Sequence, residues 1–333
     1  MAQFSRTSSG RKLAKKAPTP TTEGKEQKGR RTWIITVVLV LIVIMAVVGI
    51  GYYWFYVKPF QTKVIIVGED SINIGYFIKR LRMDAAAGGD PNIMLERLTH
   101  EVLIRQGAPR YGFEATEEDI DEALRQMAQG ESEAISDSEF KEWYRQQLNE
   151  TEFSNAEYRE LTATFVLASK LQEYLAERVP TVAEQVYLHI IILETYEEAL
   201  EVKEKLDAGA DFAELARELS LDTTSGENGG DIGWIPVDVL ESPFDWAIPN
   251  LDIGVVSDPL RTGETSFSLI MISEKAVARE VEEGYLEVLK AKVLDDWLVE
   301  EMGYKKVEFH GFNNGFDSET YYWIKAQLAK REK

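Results

Sequence analysis

The stretch from Trp33 to Val57, WIITVVLVLIVIMAVVGIGYYWFYV, runs 25 residues without a charge, more than the ~20 a helix needs to cross a hydrocarbon layer of roughly 30 Å. A helix satisfies its own backbone in lipid, whereas a single extended segment does not. The stretch therefore predicts one N-terminal transmembrane helix over residues 33–57. Its aromatic end, Tyr52 to Tyr56, suits a membrane interface, and the basic residues ahead of it, Arg30 and Arg31 among them, favour the cytoplasmic side. The expected topology is single-pass in the cell membrane, with the N-terminus cytoplasmic and the C-terminal region extracytoplasmic. A cleaved signal peptide is the competing reading, with Gly49-Ile50-Gly51 as a small-x-small site. A signal's apolar region, however, is shorter, about 7–15 residues.

Residues 1–32 are rich in Ser, Thr, Gly, Pro and Lys and read as a disordered, basic cytoplasmic tail. They hold nine Lys or Arg against Glu23 and Glu26, so the part after Thr32 carries −27 of a chain whose net charge is −20. A basic front on an acidic body argues against nucleic acid as a partner. The chain has no cysteine, which excludes disulfides, thiolate metal sites and cysteine nucleophiles. His100, His189 and His310 are far apart in sequence, so neither a metal nor a cofactor is expected.

Beyond the membrane segment the length suggests two units. Val64 to Val67 followed by Gly68-Glu69-Asp70 reads as a strand and turn. Asp90-Pro91 starts a helix with Leu95, Leu98 and Val102 on one face. Capping boxes, in which a hydroxyl and a carboxylate three residues on satisfy each other's backbone amides, occur at Ser136–Glu139, Ser154–Glu157, Thr181–Glu184 and Thr195–Glu198. Residues 62–181 thus read as a helical chaperone-like domain closed at Pro180. From Gln185 the period becomes two. Val186, Leu188, Ile190 and Ile192 share one face and Tyr187, His189, Ile191 and Leu193 the other, as in a central strand covered on both sides. Helices from Tyr196 and Asp211, a turn at Asn228-Gly229-Gly230 and a strand over Phe267–Ile272 follow. Residues 282–333 read as a C-terminal helical segment packing back on the first module, with 305–310 and the amphipathic stretch around Tyr321, Ile324 and Leu328 unassigned.

HIIIL at 189–193, GADFAELARELS at 209–220, NGGDIGW at 228–234 and GVVSDPL at 254–260 together resemble the parvulin family of peptidyl-prolyl cis-trans isomerases, over about residues 182–281. The resemblance implies an α+β, FKBP-like domain with a small, mainly antiparallel sheet and flanking helices, inserted in the helical module. With the membrane helix, the chain also resembles extracytoplasmic foldases and periplasmic chaperones. By family position, Leu240 and Phe244 match the apolar pair that cradles proline, and Ile232 its third wall. His189 matches the first-strand histidine and Asp222 the Cys or Asp of active members. As ordinary structure, His189 would be a core histidine with satisfied nitrogens and Asp222 a turn carboxylate. The family's last strand reads Gly-aromatic-His, and here Ser266-Phe267-Ser268 stands in its place, so the second histidine is Ser268. Thr262 or Ser268 is then expected to partner His189. The implied activity is isomerisation of X-Pro bonds in unfolded or newly exported proline-containing polypeptides. A non-catalytic holdase and a membrane-anchored scaffold are the alternatives.

Overall fold

A computed structural model describes residues 23–84, 89–131 and 134–330, and the chain divides between Thr62 and Lys63 into two compact units. In the first, α1 (Glu23–Tyr52) continues through a π-helical turn, Tyr53–Val57, into α2 (Lys58–Gln61). The part apolar enough to cross a membrane, Trp33–Gln61, is 29 residues, about 44 Å at the rise of an α-helix. Its large apolar side chains from Trp33 to Tyr56 are exposed. Tyr52 stacks on Tyr56, and the Lys58 ammonium lies 3.6 Å from the centre of the Trp54 ring, a cation–π contact at the helix's polar end. The expected disordered tail lies outside the described residues as far as residue 22. From Glu23 the backbone is helical instead, because Glu, Lys, Gln and Arg extend readily a helix already nucleated by the apolar run.

The second unit opens on the hairpin β1 (Lys63–Val67) and β2 (Asp70–Asn73), followed by α3 (Ile74–Met83), α4 (Pro91–Gly107), α5 (Glu117–Gln129), α6 (Asp137–Thr151) and α7 (Asn155–Ala176). Asp90 caps α4, and reciprocal boxes start α6 at Ser136 and α7 at Ser154, with a further one at Thr116–Asp119. Ile120, Leu124, Phe153, Tyr158 and Leu161 form a core among α5, α6 and α7. The box read at Thr181–Glu184 caps no helix: β3 (Val182–Leu193) begins there. Its Val- and Ile-rich residues pair with β6 from Val182 onward, and that long-range ladder overrides the local signal.

After β3 come α8 (Tyr196–Asp207), α9 (Phe212–Leu219), α10 (Thr223–Glu227), β4 (Asp231–Pro236), α11 (Phe244–Ala247), β5 (Leu260–Arg261) and β6 (Phe267–Glu280). The strands form an antiparallel sheet in the order β4-β3-β6-β5. Both faces are covered, as the pattern of β3 predicts. Ile191, Leu193 and Leu269 pack under α8 and α9, against Val202, Leu206 and Phe212. On the other face Val186, Leu188, Ile190, Ile270 and Ile272 pack with Ile248 and Leu260. The two ends of this segment are tied together: the Val281 N–H donates to the Thr181 carbonyl at 2.9 Å, and the buried Gln185 amide donates to the carbonyls of Arg279 and Glu280, each at 3.0 Å.

The chain then re-enters the helical part. α12 (Glu283–Tyr304) packs on α7 and α4, with the Trp297 indole donating to the Tyr111 hydroxyl at 2.9 Å and a Cβ at Gly107 excluded by the Trp297 ring. Residues 305–310 contain β7 (Val307–Phe309), which pairs antiparallel with β1 and makes β1 the buried centre of a second sheet, order β2-β1-β7. α13 (Ser318–Ala329) accounts for the amphipathic stretch and packs on α3. Neither 62–181 nor 282–333 is therefore purely helical: β1 and β2 sit in one, β7 in the other.

Candidate functional site

Leu240 follows a short 3-10 turn over Val237–Val239, and Phe244 opens α11. Both are half-buried and pack on the margin of the core formed by Ile248, Leu260 and Ile270. This leaves part of an apolar pair facing outward instead of closing a core. Ser268 pairs with Ile192 in register, and its parity with Ile270 and Ile272 puts it on this same face, fully buried. Its hydroxyl meets the Thr262 hydroxyl at 2.7 Å. Ile232 is the extra residue of a bulge, since Leu188 pairs with Gly233 and His189 with Asp231, and it is exposed.

His189 lies on the opposite face of the sheet. It is one position out of phase with Leu188 and Ile190, pairs with Met271, and meets the Phe212 ring of α9 at 6.1 Å. There it borders a cleft of about 440 Å³ with Phe212, Val256 and Met271. Its expected partners are thus corrected: Thr262 and Ser268 bond each other across the sheet, and His189 Nε2 is 3.0 Å from Ser273 Oγ. The cause is a β-bulge. Tyr187 pairs with Glu274 and Leu188 with Ile272, so Ser273 is the unpaired residue. Beside it the Tyr187 hydroxyl donates to Asp231 Oδ2 at 2.8 Å, and that hydrogen bond to a carboxylate pushes the Tyr187 pKa up. Neither Ser273 nor the Tyr187–Asp231 pair was legible beforehand, because a bulge leaves no mark in the apolar pattern.

Asp222 follows Ser220 and Leu221, which bond to Ile192 of β3, the residue that Ser268 pairs with from the other side. The Leu221 N–H donates to the Ile192 carbonyl at 2.7 Å and the Ile192 N–H to Ser220 Oγ at 3.1 Å, continuing the ladder on the side of β3 away from β6. Asp222 caps the start of α10, accepting from the Thr224 and Ser225 amides and from the buried Ser225 hydroxyl. The Ser225 hydroxyl, helped by the two amides, holds the Asp222 carboxyl below the usual carboxylate range. It remains ionised at neutral pH, and each oxygen keeps lone-pair capacity for a further donor. Asp222→Ala should cost about 1 kcal/mol by loss of the cap. A depressed folded-state pKa means that this stability is fully present above the unfolded carboxylate's value and fades as pH falls through the folded one. Urea melts of the two proteins should therefore differ at pH 7 and converge in acid; a difference that persists in acid would contradict the cap.

No group of three His, Asp or Glu residues among the described residues is placed to hold a metal ion. A family model, the PPIC-type peptidyl-prolyl isomerase (rotamase) domain, matches residues 192–274. The foldase protein PrsA of Oceanobacillus iheyensis is 31% identical over 158 residues, 45% of this chain and 50% of that protein. The chaperone SurA of Methylobacillus flagellatus is 42% identical over 92 residues, 25% of this chain and 21% of that one. The chain thus spans about half the length of the first of these relatives and about a fifth of the second. A crystal structure of the peptidylprolyl isomerase PrsA from Bacillus anthracis aligns with a TM-score of 0.35 at 18% identity, covering 72% of this chain and 97% of that one. The four-stranded antiparallel sheet with its helices, and the family match over residues 192–274 within it, make this segment of the chain a parvulin-type domain of the PPIC class.

Proposed function

We propose that this chain is a membrane-anchored foldase that catalyses cis-trans isomerisation of X-Pro bonds in exported polypeptides, with residues 182–281 as its isomerase domain set into a helical chaperone-like domain. The observation that carries the reading is the half-buried pair Leu240 and Phe244, on the same sheet face as the Thr262–Ser268 hydroxyl pair; the ionised Asp222 is the family-position carboxylate of the reading. Rotation about an X-Pro bond meets a barrier of ~18–20 kcal/mol, because the planar amide is stabilised by resonance. Twisting removes that charge separation, so an apolar pocket that excludes water from the ring favours the twisted form over the planar one. Asp222 would disfavour the negative carbonyl oxygen of the planar amide, and the hydroxyl pair would supply a donor at the pocket edge. His189, on the other face, acts as a positioning residue through Ser273 and the sheet.

An X-Pro peptide isomerisation assay on the full chain tests this directly, and turnover above the uncatalysed rate is the expected result. Ser268 in place of the family's histidine favours a second reading, a holdase that binds without turning clients over. That reading takes over if no turnover is seen while the protein still suppresses aggregation of an unfolded client.

Membrane anchoring rests on the exposed apolar helix and the charge step around it. A reporter active only outside the cytoplasm should function when fused after Lys333 and fail when fused ahead of Arg30. The reverse pattern would remove exported proteins as the client class.

A further inference from the structure

Leu240 belongs to two surfaces. Besides bordering the proposed proline pocket, it lines a cleft of about 610 Å³ between the Val237–Leu240 turn, the segment entering β3 and one face of α12. The floor is apolar, with Val182, 47% exposed, beside Val237, Leu289 and Val293. The rim carries Glu184, Asp238, Asp245 and Asp296 against one cation, Lys292. That cation is already engaged, its ammonium 2.8 Å from Asp296 and 3.5 Å from the Asp238 carbonyl. Among the described residues Glu184, Asp238 and Asp245 have no ion-pair partner.

We propose that this cleft is an extension of the proline site, and that it binds client residues flanking the X-Pro bond where Lys or Arg alternates with apolar side chains. The inference rests on the isomerase reading above and adds a sequence preference to it. The cleft shares Leu240 with the proposed pocket, and its Asp245 directly follows Phe244 in the chain, so an extended client advancing ~3.3–3.6 Å per residue reaches it within a few residues of the proline. The apolar floor accepts aliphatic side chains and the methylene stems of Lys and Arg, while the rim holds their charged ends in water. The unpaired carboxylates make the cleft repel acidic segments and attract basic ones, over a range limited by salt.

The test uses the full chain in nanodiscs and fluorescence anisotropy of two labelled twelve-residue peptides. Each has one central X-Pro bond and Leu-Lys or Leu-Glu repeats on both sides. The Lys peptide should bind about tenfold more tightly at low salt, with the margin shrinking in high salt. The triple substitution Glu184→Gln, Asp238→Asn, Asp245→Asn should erase the margin without changing binding of a four-residue X-Pro peptide too short to reach the cleft. A control triple on α8, Glu197→Gln, Glu201→Gln, Glu204→Gln, should leave it intact. Equal binding of the two peptides, a margin that survives in the cleft variant, or a margin lost equally in the control would overturn the proposal. The same samples, assayed for isomerisation, separate the two readings. Turnover without charge preference removes the cleft alone, and charge preference without turnover removes catalysis alone.

Discussion

Phe244→Ala is expected to lower isomerisation of an X-Pro peptide about a hundredfold, equivalent to ~2.7 kcal/mol of barrier. The phenyl ring is the largest side chain of the proposed cradle. Its loss both removes the contact that grips the proline ring and admits water where the twisted amide needs a dry wall. The loss should fall on kcat/KM, since the ring acts on the transition state as well as on binding. A fully buried Phe truncated to Ala costs ~3–5 kcal/mol of stability, but Phe244 is half-buried at the core margin, so the fold should lose less than that range. Chemical denaturation run beside the assay separates the two effects. An activity within a few-fold of the unaltered protein, with the fold intact, would mean that Phe244 is ordinary packing and that the pocket lies elsewhere.

That prediction leans on a distinction the sequence carries only halfway. Alternation along Val186 to Leu193 places His189 and Ile190 on opposite faces of β3 and predicts that both faces are covered, as they are by α8 and α9 on one side and by the Ile248 and Leu260 core on the other. It does not say which face Phe244 and Ser268 share. That depends on the register of β3 against β6, set by pairing across some eighty residues and offset by the bulge at Ser273. A one-residue change of register exchanges the faces. Local signals show the same limit. Ser136 and Ser154 cap helices because helix-forming residues follow them, whereas Thr181, with the same spacing to a Glu, opens a strand whose partner arrives a hundred residues later. The pairing of β7 with β1 spans still more of the chain, and a three-residue strand has too little period-two pattern to announce it.

The largest stability effect is expected outside the isomerase segment, where α3 meets α4. Arg80 and Glu101 are 4% and 7% exposed, and they form a two-pronged ion pair, Nη1 to Oε2 at 2.5 Å and Nη2 to Oε1 at 2.7 Å. Two charges withdrawn from water are tolerated because the carboxylate takes both Nη groups in the fork geometry that guanidinium and carboxylate share, while the buried Arg80 Nε is left without a hydrogen-bond partner. Removing one partner strands the other. Glu101→Ala should therefore cost about 3–5 kcal/mol, and Arg80→Ala a similar amount. Replacing both at once, Arg80→Met with Glu101→Leu, leaves no buried charge and substitutes apolar packing of comparable length, so the double variant should be far less destabilised than either single one, or even more stable than the parent. The contrast is the diagnostic: a shift in the urea midpoint at constant slope for each single variant, largely recovered in the double. If the two single losses simply added in the double variant, the pair would not be acting as a unit. The α3–α4 contact would then owe its strength to the surrounding apolar residues, Phe77, Leu81 and Leu98, which are fully or almost fully buried there.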